Sequence, residues 1–112
     1  MTHEELYALL KSTGLPVAYH HFTGTPDASV PSPPYIVYLE DGSDAWGSDD
    51  QNGIKRTGYL VELYANKKDP ESQEKIEALF NARGIGFSCI ETYISTEKLY
   101  QAAYTIEFVS KI

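Results

Sequence analysis

Five carboxylates, Glu40, Asp41, Asp44, Asp49 and Asp50, fall within residues 38–56, together with the chain's one tryptophan, Trp46, and no basic side chain before Lys55. Oxygen ligands in that number could hold Ca²⁺, which needs them at alternating loop positions, with a glycine at the sharp turn and a final bidentate carboxylate. With Gly53 as the loop glycine, Asp50 and Asn52 take the third and fifth ligand positions, but the first is Ser48 and the twelfth is Tyr59. Counted from Asp41, the third, fifth and sixth positions are Ser43, Ala45 and Trp46. Neither register makes an EF-hand. An irregular cation site, where residues 41–44 converge with Asp49 and Asp50, stands as one alternative, and a solvated polar turn as another. Trp46 fits the turn poorly, because a large apolar ring in an acidic loop is the kind of residue that another protein covers.

The remaining reactive side chains give less. His20 and His21 are adjacent on an expected strand, so they point to opposite faces and cannot share a metal, and His3 is the one other histidine. Cys89 sits mid-strand between Ser88 and Ile90, with no helix N-terminus or neighbouring base to generate a thiolate, and is expected to be buried and inert. Glu62, Glu91 and Glu107 are mid-strand carboxylates that could align across a sheet for acid–base work. Each alternates with apolar neighbours, however, which describes a solvent-facing or subunit-facing side of a half-buried sheet. No nucleophile, phosphate-cradling glycine loop or cofactor motif accompanies them, so neither a catalytic centre nor a cofactor is expected.

The elements that must position these residues follow from periodicity and punctuation. "MTHEELYALLKSTGLP" carries a capping box, Thr2 with Glu5, then Leu6, Leu9 and Leu10 on one helical face, and Gly14 and Pro16 as a stop. "VAYHHF", residues 17–22, is β-branched and aromatic, and the proline-rich residues 23–34 after it form a long loop. "YIVYLE", residues 35–40, is apolar on both faces and predicts an inner strand. A strand from Ile54 to Ala65 faces Tyr59, Val61, Leu63 and Ala65 one way and Leu60, Glu62 and Tyr64 the other. These two strands make a hairpin with the acidic stretch at its tip.

Asp69 as N-cap, Pro70 at the first helical position, Ile76, Leu79, Phe80 and Arg83 at helical spacing, and Gly84 as the stop define a second helix. "IGFSCIETYIS" and "LYQAAYTIEFVS" are two strands joined by a turn near residues 96–98. In the second, Tyr100, Ala102, Tyr104, Ile106 and Phe108 share a face opposite Gln101, Thr105 and Glu107. The order α-β-β-β-α-β-β predicts an α+β fold: a mainly antiparallel sheet of four to five strands with two helices packed on one face.

Length and charge narrow the function. A chain of 112 residues makes one domain with a modest core. Its net charge of −7 is local: the five carboxylates of the opening stretch carry −5, and 11 acids against 9 bases leave −2 elsewhere. No basic cluster exists beyond Lys55 with Arg56 and Lys67 with Lys68, which argues against tight nucleic-acid binding. One cysteine, an acidic N-terminus in place of a secretory signal and no long apolar run set the expectation of a soluble protein made in a reducing cytosol. Nine tyrosines, several at strand positions, suit a small sheet completed by another copy of the chain.

From Tyr59 to Phe108 a further pattern appears: a strand ending in "ELYA", a Lys-Asp pair opening a helix with Glu74 and Glu77, "GIGF", a strand with Glu91, Tyr93 and Ile94, then Glu97, Tyr100 and a final strand with Tyr104. With "PPYIVYLEDGSDAW" it resembles the tail-completion, or tail-to-head joining, proteins of siphophages and prophages over roughly residues 34–108. The resemblance implies a tail-terminator-like α/β sandwich with a long β-hairpin. It also implies a homo-oligomeric ring, commonly of six, that meets tail-tube and head connector proteins in the virion. DNA would only pass through the channel, with no membrane, cofactor or enzymatic activity involved. The expected interface residues are Glu40, Asp41, Asp44, Trp46, Asp49, Asp50, Glu62 and Glu91. The competing class is a small cytosolic binding module that uses residues 40–53 for a cation or a protein partner.

Overall fold

The computed structural model describes residues 2–20, 31–46 and 54–111. Helix α1 (His3–Lys11) begins at the expected capping box: the Thr2 hydroxyl accepts from the Glu5 amide at 3.1 Å, and the Glu5 carboxylate accepts from the Thr2 amide at 3.4 Å. Helix α2 (Pro70–Ala82) is capped by Asp69, whose carboxylate accepts from the Ser72 amide at 3.1 Å. It stops where Gly84, at φ 67°, lets the Ile85 amide turn back and donate to the Phe80 carbonyl at 2.8 Å.

Five strands, β1 (Val17–Tyr19), β2 (Tyr35–Trp46), β3 (Ile54–Ala65), β4 (Phe87–Ile94) and β5 (Leu99–Lys111), form one sheet in the order β1-β2-β3-β5-β4. The β2–β3, β3–β5 and β4–β5 ladders are antiparallel, while β1 runs parallel to β2, so the sheet is mixed. A parallel neighbour needs a long connection, and residues 20–34 supply one. Strand β1 is shorter than residues 17–22 because His20, at φ 67°, turns out of the extended conformation. His21 and Phe22 lie outside the described residues. The expectation that the two histidines point to opposite faces therefore falls outside the described residues. Strands β3 and β4 are parallel to one another, with β5 inserted between them.

Residues opposite each other in these ladders share a face, so the register sorts the sheet. Ile36 and Tyr38 of β2, Val61 and Leu63 of β3, and Tyr104 and Ile106 of β5 lie on one face, where they join Leu6 and Leu10 of α1 and Ile76 and Phe80 of α2 in a single core. Both helices cover this side, as expected. Tyr38 is fully buried, yet its hydroxyl lies 3.0 Å from His3 Nε2, so the start of α1 is tied to the middle of β2. The other face carries no helix among the described residues.

Strand β1 pairs only with residues 36–38 of β2, and β4 only with residues 99–106 of β5. Beyond them β2, β3 and β5 continue together, with Ser43 opposite Thr57 and Thr57 opposite Phe108, out to Trp46, Ile54 and Lys111. The projection expected as a two-stranded hairpin is thus a three-stranded ribbon.

Candidate interaction surface

The acidic stretch is mostly strand. Pairing of β2 with β3 is regular through Glu40 and Tyr59, slips, and resumes at Ser43 and Thr57, so Asp41 and Gly42 stand opposite the single residue Gly58. This is a bulge, and Gly42 takes the positive φ of 89° within it. The expected break after Glu40 is absorbed in two residues. Glu40 and Asp41 are exposed beside it. Farther out, Asp44 is in register with Arg56, Ala45 with Lys55 and Trp46 with Ile54. One acid of the ribbon, Asp44, therefore stands opposite a base, and Arg56 Nε also lies 3.8 Å from Glu107 Oε2. Asp49 and Asp50 lie outside the described residues.

The mid-strand carboxylates do not line up. Glu62 stands opposite Ala103, which stands opposite Ile90, on the face without helices. Glu91 stands opposite Ala102 on the helix-bearing face, contrary to the expectation that it shares a solvent-facing or subunit-facing side with Glu62. Alternation along each strand is legible in sequence; which side the helices cover depends on how the strands assemble. Lys68 donates to both Glu91 oxygens, at 2.9 and 3.1 Å, and this hydrogen bonding holds the Glu91 carboxyl below its usual range.

Glu62 is the centre of a polar network. Its oxygens accept from the Tyr64 hydroxyl at 3.3 Å and from Gln101 Nε2 at 3.1 Å, while Gln101 also donates to the Tyr64 oxygen at 2.9 Å. Burial pushes the Glu62 carboxyl up from its ordinary 4.5, and the Tyr64 hydrogen bond offsets part of that. Because the folded-state value is raised, folding favours the protonated form, and stability declines as pH rises through the range where Glu62 ionises. Glu62→Gln should raise the melting temperature at pH 7, and the gain should vanish below about pH 4, where the wild-type carboxyl is already protonated. Thermal unfolding followed by circular dichroism at both pH values checks this.

Around that network the face without a helix among the described residues is largely apolar. Val37 is buried, Leu39 and Leu60 face each other half-buried, and Tyr35 stacks on Tyr64 at 5.4 Å. Ile90, on the same face of β4, is 69% exposed. Sequence reasoning aimed at the carboxylates missed these residues. The available signal was "YIVYLE" itself, whose second apolar face had no element assigned to cover it.

Cys89 is exposed on β4, not buried as expected, because β4 is an edge strand; the burial it does have pushes its thiol up. Among the described residues no group of three or more metal-ligating side chains converges. A shallow cleft of about 400 Å³ lies at the far end of β3, between Pro33, Ala65, Lys67 and Pro70. No helix among the described residues is long and apolar enough to cross a membrane.

These features define a two-layer α+β protein with a mixed five-stranded sheet, one face without a helix among the described residues, and a projecting ribbon. No family model matches the chain, and no curated protein matches it.

Proposed function

We propose that this chain is a virion structural protein of a phage or prophage, a ring-forming component that joins or terminates the tail at the head–tail interface. The observation that carries the reading is the ribbon of β2, β3 and β5, which extends past the ends of β1 and β4 and gives each copy an arm long enough to lie across a neighbour. The resemblance over residues 34–108 supports the same role, since a sandwich with a long hairpin is what it implies.

In such a ring the sheet face without a helix among the described residues, with its half-buried Leu39, Leu60 and Tyr64, offers apolar area for a neighbouring subunit or for tail-tube and connector proteins. Exposed Glu40 and Asp41 add negative charge beside the bulge, which discourages phosphates from adhering if that side lines a conduit for DNA.

Native mass spectrometry of the purified chain over rising concentration, with and without tail-tube protein, tests the proposal. Closed rings, six copies being the resemblance's implication, or a ring formed only on the tube, support it. A chain that stays monomeric at every concentration and binds neither tail-tube nor connector protein overturns it.

A further inference from the structure

Strand β4 is an edge of the sheet, hydrogen-bonded to β5 on one side, with no strand on its other side among the described residues. Edge strands are commonly blunted by lysine, proline, a bulge or an inward charge. "FSCIETYI" has no lysine or proline, and its register with β5 runs without a shift from Phe87–Ile106 to Ile94–Leu99. Residues 88–93 are all exposed, and Ile90 and Tyr93, at 69% and 55%, are among the most exposed large apolar side chains of the described residues. The strand's one charge, Glu91, stands on the helix-bearing face and is the one inward charge of this strand, but Lys68 matches it within the chain, so the edge stays locally neutral.

The edge suits a second copy of the same chain. Two molecules of net charge −7 repel, and they do so least where the approaching surface is locally neutral, as it is along β4. Pairing with the opposite edge, β1, would engage only three residues, because that strand ends at Tyr19. Pairing β4 with another β4 engages nearly the whole strand on both sides. For an antiparallel two-fold pair in one continuous sheet, partners must share a face, so the axis passes through a residue position. An axis at Glu91 would set two carboxylates against each other. An axis at Ile90 instead sets Ile90 against Ile90, Glu91 against Cys89, Thr92 against Ser88 and Tyr93 against Phe87, with no like charges opposed.

We propose that β4 is a homodimerisation edge, at which two copies pair antiparallel about a two-fold axis at Ile90 and continue the sheet from one chain into the next. The inference rests on the edge strand alone and not on the tail assignment. A ring joined head to tail uses different surfaces from a two-fold contact.

Directly opposed residues in an antiparallel pair have Cα atoms about 4.5–5.5 Å apart, within reach of a disulfide. In a Cys89→Ala background, Ile90→Cys should therefore give a covalent dimer under mild oxidation. Thr92→Cys, which faces Ser88 of the other copy, should not. Ile90→Lys, at a position exposed enough to leave the fold intact by circular dichroism, should weaken the dimer about tenfold or more in analytical ultracentrifugation. A wild-type chain that sediments as a monomer, or equal cross-linking at positions 90 and 92, overturns the proposal. A ring that forms without cross-linking at position 90 overturns it too, while leaving the tail role standing.

Discussion

Phe80→Ala should cost about 3–5 kcal/mol, the usual loss for deleting a buried phenylalanine ring. Phe80 is fully buried, with ring centroids 5.7 Å from Phe87 and 5.9 Å from Tyr104, so its ring packs α2 against both β4 and β5. Tyr104 cannot swing over to fill the space, because its hydroxyl donates to Glu77 Oε2 at 2.7 Å. The Phe80 carbonyl also accepts the amide of Ile85, so the residue that anchors α2 stands where the helix ends. Against a typical stability of about 5–15 kcal/mol, this leaves the chain marginal, with a melting temperature lowered by roughly 10–20 °C. Circular dichroism melts measure it. Phe80→Leu, which keeps most of the volume, should lose much less. A loss under about 1 kcal/mol for the alanine variant would mean that α2 is not docked through this ring.

Gly58→Val should destabilise by about 1–3 kcal/mol, although valine normally outranks glycine in a strand. A Cβ at position 58 would come 3.0 Å from the Asp41 carbonyl oxygen and 3.8 Å from that of Gly42. The obstacle is backbone within the bulge, which cannot rotate away as a side chain could. To admit valine, the two residues of β2 that stand opposite one of β3 must move, and the ladder from Ser43 to Trp46 depends on them. Amide hydrogen exchange should accelerate at residues 43–46 and 54–57 more than in α2. A valine variant that melts higher than wild type would show that the bulge yields freely.

Those two positions also mark where the sequence was and was not legible. Helix α2 was readable because its signals are local: Asp69 caps, Pro70 starts and Gly84 stops it, each for reasons internal to a few residues. The capping box of α1 and the bounds of β3 were readable on the same grounds. The bulge was not, because it is a property of a pair of strands. Asp41 and Gly42 look like the start of a loop until Gly58 is set across from them. Exposure of Cys89 was likewise hidden, since nothing within "FSCIETYI" says that the strand lies at an edge. Glu62 and Glu91 have the same local pattern, yet only the order of the sheet puts one in the Tyr64–Gln101 network and the other beside Lys68.

The insertion of β5 between β3 and β4 also governs the order in which the molecule can be built. Until residues 99–111 are in place, β4 has no strand beside it among the described residues, and Phe80 lacks one of the two rings it packs against. The contacts that close the sheet join residues far apart in the chain, such as Ile54 with Lys111, and such closures come late and slowly. Of the strands described, only β5 pairs with β4, so β4 can join the sheet only once β5 is in place. Strand β5 is thus the piece that makes one sheet of β3 and β4.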